Sequence, residues 1–450
     1  MNKSLYNHDL IKKITSEYGT PAHILDFDRL KTNFEGLSQK LSHCTNSFQI
    51  LYSFKTNYLP TICKEMLTLG AGADVVSGYE LNLAIECGFP PDKIVFNGPV
   101  KRRNELLACV NYGAKVNIDG EHEIEILQEI ASKKGVVVAV GLRVNPGVNV
   151  YFSEDSSYNE VSKNSMVHSK FGWLIDGGDA KRMATSIHRQ KNLKLTSIHC
   201  HLGSQITHTP SYISALDKVL SFVSDLKQQF PITDFNIGGG FGVEGIHRLK
   251  QGPVFKHRHY HGDDHLEERR DTFDWSLMMD ALNSSLKKLE LNDLNLYCEP
   301  GRFLVSDTMA LITEVVGVKN TSVGKWLILD GGLNLLPTAG VTEERNFHAI
   351  GEHGKKTSMY MVGGPLCYEG DVFSMQTELP SDLKSGNLVM ISDSGAYSVS
   401  RSTNFMYPRV PVIAYKGEDY HLCWRREEFS DVFRFNVPIV YNDHKEQVVS

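Results

Sequence analysis

The run Leu51-Tyr52-Ser53-Phe54-Lys55-Thr56-Asn57 decides how the rest of the chain is read. Apolar, strand-forming residues lead from Phe48 to a single lysine, and after a turn Pro60 opens a helical pattern. A lysine at the C-terminal end of a strand is badly placed to be a solvated surface charge. Held in a pocket, its amine loses its proton more easily and becomes a nucleophile toward a carbonyl. The alternative is a buried structural ion pair.

Outward from this stretch a rhythm sets in. Apolar strands are expected at 50–54, 72–76, 93–97, 114–118, 137–144, 195–201, 234–238 and 294–299, with helical patterns between them such as 79–87, 102–112, 121–132, 178–189 and 212–229. Eight alternations over about 250 residues predict a parallel sheet closed into a (β/α)8 TIM-type barrel. Beyond residue 307 strand-like runs dominate, which predicts a C-terminal, mostly-β domain. The expected division is a barrel over 27–306 and a β-rich domain built from 1–26 and 307–450. A strand at 21–26 precedes the barrel rhythm and is expected to pair with the β domain.

The totals narrow the function. With 450 residues the chain holds two or three domains rather than one, and 41% hydrophobic content is globular. A net charge of −6 without a long single-sign run points to neither nucleic acid nor membrane. No apolar signal-peptide core or membrane-length run is present. The eight cysteines are scattered singly, without a CxxC pair, a pattern expected of a reduced, cytoplasmic protein.

In a barrel the C-terminal strand ends converge on one mouth. Here they bring Lys55, then Asp74 and Ser77, Arg143 and Asn145, His201, Gly203 and Ser204, Gly238-Gly239-Gly240, and Glu299-Pro300-Gly301-Arg302. A glycine turn entering a helix lets backbone N–H groups approach an anion, and with Ser204 and Arg302 it suggests a phosphate site. Glu299 could keep a pyridine nitrogen protonated, and the imidazole of His201 could stack on the ring. Together with a lysine that forms a Schiff base, these parts specify pyridoxal 5'-phosphate (PLP). His199 and His201, two apart on one strand, could instead bind zinc, but the later strand ends offer glycines and a glutamate rather than further ligands, so no metal is expected. The histidine-rich segment 247–265, with His247, His257, His259, His261 and His265, follows the seventh strand and is expected to be an exposed loop near the mouth.

The motifs Tyr52-Ser53-Phe54-Lys55, Ala73 to Glu80, Leu142 to Pro146, Ser169 to Gly172, His199 to Gln205, Ile237 to Gly240, Cys298 to Arg302, Gly364 through Asp371 and Gly395-Ala396-Tyr397 occur in an order that resembles the PLP-dependent decarboxylases with an alanine-racemase-like barrel, the ornithine, arginine and diaminopimelate decarboxylases. The resemblance implies that Lys55 carries the cofactor, His201 stacks on it and Glu299 pairs with its ring nitrogen. Ser204, Gly239, Gly240, Arg302 and Tyr397 would hold the phosphate, and Asp74 would support the lysine. It further implies a head-to-tail homodimer in which Cys367 reaches the partner's site and steers the proton that replaces carbon dioxide, with Lys170 helping to tie the interface.

Around the substrate the chain departs from the family. Where diaminopimelate decarboxylases place a glutamate after the cysteine, this chain has Tyr368, with Glu369 next. The strand after the barrel reads Asp330-Gly331-Gly332-Leu333-Asn334-Leu335-Leu336-Pro337, without the arginine that meets a distal carboxylate. Tyr368, Glu369, Asp371, Glu343 and Glu344 are the candidate substrate contacts. The expected activity is decarboxylation of an amino acid: a diamino acid such as ornithine or lysine, possibly D-configured, or a specialised biosynthetic amino-acyl substrate. Diaminopimelate is the first alternative. A racemase would need a catalytic tyrosine where Cys367 stands, and a non-catalytic binding homologue would have lost the cofactor residues.

Overall fold

The structure, a computed structural model, describes residues 7–150, 166–243, 247–248, 273–340 and 343–437. Eight parallel strands form the barrel: Phe48–Ser53, Gly72–Val75, Ile94–Phe96, Lys115–Ile118, Val138–Asn145, Leu193–His199, Asp234–Asn236 and Asn295–Cys298. Each pairs with its neighbours, and the fourth pairs with the fifth to close the ring. The strands are short runs rich in apolar residues, and Leu51, Ala73, Ile94, Val116, Leu142 and Phe235 are fully buried.

Helices cover the barrel for reasons visible in their sequences. Phe27–Leu41 starts where the Asp26 carboxylate accepts the Arg29 N–H at 3.0 Å, and buries Leu30, Phe34, Leu37 and Leu41 at helical spacing. Pro60 stands at the first position of Pro60–Thr68. Arg103–Tyr112 ends on Gly113 in the left-handed region. Ser77, which follows the second strand, caps Gly78–Glu86, its hydroxyl accepting from the Glu80 N–H at 3.2 Å.

The second domain is a nine-stranded, largely antiparallel sheet. Its central strand, Met309–Thr321, pairs antiparallel with Ala22–Asp26, which pairs in parallel with Val412–Lys416. The N-terminal strand therefore sits between two strands from the far end of the chain, as its position before the barrel rhythm suggested. Two strands escaped the sequence reading, Phe347–Ile350 and Val372–Pro380. The first is short, and the second alternates buried and polar residues before ending in a proline.

The two domains meet at Lys55. The Tyr397 N–H and the Ser400 hydroxyl both donate to the Thr56 carbonyl, at 2.8 and 3.0 Å, and Asn57 Nδ2 donates to the Gly395 carbonyl at 2.9 Å. A Cβ at Gly395 would lie 1.7 Å from the Val305 carbonyl oxygen, so only glycine permits this approach.

Lys101 and Glu123 form a fully buried ion pair at 3.0 Å. Lys101 also donates to the Gly98 carbonyl at 2.7 Å, and Glu123 accepts the Asp119 N–H at 3.0 Å. Removing one partner strands the other charge in a low dielectric. Glu123→Ala is expected to destabilise the barrel by roughly 3–5 kcal/mol, and the apolar double variant Lys101→Met/Glu123→Leu to recover most of that loss. Urea unfolding curves of both variants decide it.

Candidate active site

Strand register builds the first part of the site. Ser53 lies beside Asp74 in the parallel ladder, so both side chains point the same way. The chain then turns through Phe54–Thr56, which returns Lys55 over the strand end. Lys55 Nζ donates to Ser53 Oγ at 2.8 Å and to Asp74 Oδ2 at 3.0 Å. Ser53 Oγ donates to the same Asp74 oxygen at 2.6 Å. Burial alone would push the Lys55 amine down. The Asp74 carboxylate, helped by Tyr397 and Glu299, outweighs burial and holds it above the ordinary lysine value. The expectation that the pocket frees the amine of its proton is therefore corrected. The lysine is an ion-paired ammonium, and its reactivity depends on a proton leaving.

A sign follows for pH dependence. With its pKa raised, Lys55 is protonated through neutral pH, and its attack on an aldehyde should accelerate as pH rises. Asp74→Asn removes the largest charge that raises the pKa and leaves burial to lower it. Reductive trapping of a simple aldehyde by the apoprotein should then start at lower pH in Asp74→Asn than in the wild type, followed as labelled Lys55 by mass spectrometry.

The eighth strand supplies Glu299, 3% exposed. Its Oε1 accepts from Asn97 Nδ2 and Asn236 Nδ2, both at 2.7 Å, and its Oε2 lies 3.2 Å from His199 Nε2. Burial and the Asp74 charge would raise this carboxyl. His199 and Lys55 overcome them and hold it below the usual carboxylate value. An ionised carboxylate offers about four acceptor positions, and these bonds use three. Asn97 also donates to Asp74 Oδ1 at 2.7 Å and accepts from Asn117 at 2.7 Å, tying the lysine's partner to Glu299.

His201 follows on the sixth strand. Its Nδ1 accepts the Gly239 N–H at 3.3 Å. Burial, with the positive charges of Lys55 and Arg143, pushes the imidazole down to about 3, so the ring is neutral and flat at the mouth. Among the described residues no cluster of three or more histidine, cysteine, aspartate or glutamate side chains is placed to hold a metal ion.

The glycine turn is sterically obligatory. A Cβ on Gly239 would come 2.0 Å from the Glu299 carbonyl oxygen, and one on Gly240 2.1 Å from that of Gly203. The turn was expected to enter a helix. Instead Phe241 pairs with Ile206 as a β-bridge, and no helix starts at Gly238–Gly240 among the described residues. Ser204, Gly240, Arg302 and Tyr397 line one cleft with Lys55, His201 and Glu299. Arg302 is 9% exposed and lies 5.1 Å from the Tyr397 ring centre. Its Nη2 is paired, but Nε and Nη1 are buried without a partner among the described residues. Buried guanidinium donors beside a glycine turn fit an anion. The open acceptor position on Glu299 fits a protonated ring nitrogen, and Lys55 fits an aldehyde. The residues present therefore match PLP.

Other expected site residues do not reach this cleft within one chain. Cys367 and Tyr368 are exposed. The Cys367 N–H lies 3.1 Å from Met406 Sδ, and the Tyr368 ring meets Phe405 edge-on at 6.3 Å. Neither they nor Glu369 line the Lys55 cleft. The two oxygens of Asp371 accept the N–H groups of Leu333 at 2.7 Å and Leu366 at 2.8 Å, and Asp371 does not line the Lys55 cleft of its own chain. Glu343 is buried between Arg302 and Arg345, and the backbone of Glu344 pairs with His247. Arg143 pairs with Asp119 at 3.2 Å, and Asn145 donates to the Met166 carbonyl at 2.6 Å. Lys170 stands 5.0 Å from the Phe171 ring centre. Of the histidine-rich segment, His257, His259, His261 and His265 lie outside the described residues.

Sequence reasoning missed Ser53, Asn97, Asn117, Asn236 and Arg345. The asparagines carried one available signal: each interrupts or ends an apolar barrel strand with an amide, which a buried position tolerates only when it is hydrogen-bonded.

Residues 29–306 match the family described as pyridoxal-dependent decarboxylase, pyridoxal binding domain. The chain is similar to diaminopimelate decarboxylases of Aquifex aeolicus, 29% identical, and Methanocaldococcus jannaschii, 28% identical, each alignment covering 93% of this chain and 92% of the relative. Its fold is similar to the crystal structure of the M. jannaschii enzyme in complex with L-lysine, with a TM-score of 0.83 and 26% identity over 95% of this chain and 94% of that one. With a lysine, an acid and an anion cradle gathered at one barrel mouth, and with this match across the whole barrel, the chain belongs to the pyridoxal-dependent decarboxylases, carboxy-lyases that use PLP to remove carbon dioxide from an amino acid.

Proposed function

We propose that the substrate is a diamino acid with a single carboxylate, of the ornithine or lysine kind, and that the working unit is a homodimer. The observation that carries the substrate class is the segment after the barrel. There Leu333, Leu335 and Leu336 are buried in the β domain, where a cation for a distal carboxylate would be needed. Arg302 shares the cleft with the glycine turn, Ser204 and Tyr397, and its remaining donors serve the phosphate.

PLP, once bound, supplies the electron sink for the bond that breaks. The chain supplies the rest. Asp74 holds the Lys55 ammonium at 3.0 Å and is placed to take up its proton as the amine becomes available. Glu299 would keep a proton on the ring nitrogen, and neutral His201 would stack on the ring. Cys367 of the partner subunit delivers or steers the proton to the carbon that has lost carbon dioxide. The dimer is supported by an exposed apolar patch around Cys367, comprising Tyr368, Phe405, Met406 and Tyr407.

Diaminopimelate is the second reading, favoured by the names of the relatives that align over more than nine-tenths of the chain. Carbon dioxide release from D- and L-ornithine, D- and L-lysine and diaminopimelate separates the two. Turnover of ornithine or lysine supports the first reading, and turnover of diaminopimelate alone overturns it.

A further inference from the structure

Thr56, the residue after the lysine, also lines the Lys55 cleft. It is 1% exposed, and its hydroxyl is buried without a hydrogen-bond partner among the described residues. A buried hydroxyl ordinarily finds a partner in the protein or in a ligand, because leaving it unpaired is costly. The need is not met through the Thr56 main chain, whose carbonyl already accepts from the Tyr397 N–H at 2.8 Å and the Ser400 hydroxyl at 3.0 Å.

The neighbours of this hydroxyl fix which end of the cleft it serves. A Cβ on Gly301 would lie 2.0 Å from Thr56 Oγ1, so the side chain is seated against the backbone just before Arg302. Arg302 itself carries the buried Nε and Nη1 donors, and Tyr397, tied to the Thr56 carbonyl, lines the same cleft. The Lys55 amine turns instead to Ser53 and Asp74. The glycine turn also leaves room for another donor. The Gly238 N–H donates to Asn236 Oδ1 at 2.9 Å and the Gly239 N–H to His201 Nδ1 at 3.3 Å, so two of the three N–H groups of the turn are already engaged inside the protein. A phosphate brings three strong acceptor oxygens.

We propose that Thr56 is a further cofactor-holding residue, its hydroxyl donating to the phosphate of PLP beside Arg302. Such a bond satisfies the buried hydroxyl and ties the turn that carries Lys55 to the cofactor's anionic end. The assignment concerns the cofactor and stands whichever amino acid is turned over.

The test compares two aldehydes on the full-length apoprotein. PLP and pyridoxal, which lacks the phosphate, react alike with Lys55, so the ratio of their dissociation constants isolates the phosphate end. In Thr56→Val, which keeps the branched shape and loses the hydroxyl, PLP should bind about tenfold or more weakly while pyridoxal binds as it does to the wild type. Thr56→Ser keeps the donor and should keep the wild-type ratio. Inorganic phosphate titrated into the apoprotein by calorimetry should also bind more weakly to Thr56→Val. Because the lost hydroxyl had no partner in the protein, the Thr56→Val apoprotein should melt no lower than the wild type, while the rise in Tm on adding PLP shrinks. Equal weakening of PLP and pyridoxal, or PLP bound as tightly as by the wild type, overturns the proposal. An apoprotein that melts well below the wild type with the PLP-to-pyridoxal ratio unchanged overturns it too, since Thr56 would then serve the fold alone. Should Thr56→Val not fold, Thr56→Ala is read by the same pair of titrations, and the same outcomes decide.

Discussion

Lys55→Ala is expected to lose decarboxylase activity by on the order of 10^4-fold, as removal of a covalent nucleophile does elsewhere, and to lose the cofactor that borohydride would otherwise fix to the protein. Lys55→Arg is the sharper variant. It keeps a cation for Asp74 but has no amine able to form an imine. If Lys55 were only the positive half of an ion pair, arginine would restore function. If its role is covalent, Lys55→Arg stays as inactive as Lys55→Ala. Folding should survive in both, because Asp74 keeps its hydrogen bonds from Ser53 and Asn97 at 2.6 and 2.7 Å. Circular dichroism checks the fold, and mass spectrometry after borohydride reduction checks for the fixed cofactor. A wild-type level of turnover in Lys55→Arg would remove the basis of the mechanism.

The barrel was legible because each strand is an apolar run that stops at a turn, and because alternation with helices admits few topologies. Lys55, His201, Glu299 and the glycine turn were legible for the same reason, since strand ends must share the mouth. What could not be read were relations that depend on distance. Asn97 reaches Glu299 across 202 residues of sequence, and nothing local marks that amide as a bridge between two carboxylates. Asp371 closes a motif in the sequence, and nothing local shows that each of its oxygens accepts a backbone N–H, from Leu333 and from Leu366. The protonation of Lys55 was misjudged because burial and an adjacent carboxylate act in opposite directions, and only their separation decides which prevails. Arg345 was passed over because Arg302, the other guanidinium on Glu343, comes near it only when the chain after the barrel folds back.

Glu299→Gln should reduce kcat by roughly 10^2- to 10^4-fold while moving KM little, the range expected when a charge that acts on the transition state is removed. The side chain keeps its size, and one amide oxygen can still accept from Asn97 and Asn236. The amide nitrogen that replaces Oε2, however, faces His199 Nε2 at 3.2 Å and cannot accept a proton-bearing ring nitrogen. A ring that loses its proton withdraws electrons less well, so the penalty falls on the bond-breaking step rather than on binding. The wild-type pH profile adds a check. With its carboxyl held below the usual value, Glu299 remains ionised well into the acid range, and the acid limb of kcat should not report its protonation. His201 offers a second readout: Glu299 is the charge that raises its pKa, so the already neutral imidazole should move further down in the variant. Single-turnover kinetics would show a slow chemical step with substrate binding intact. Unchanged kcat in Glu299→Gln would mean that the acid of the eighth strand orders its asparagines and does nothing for the ring.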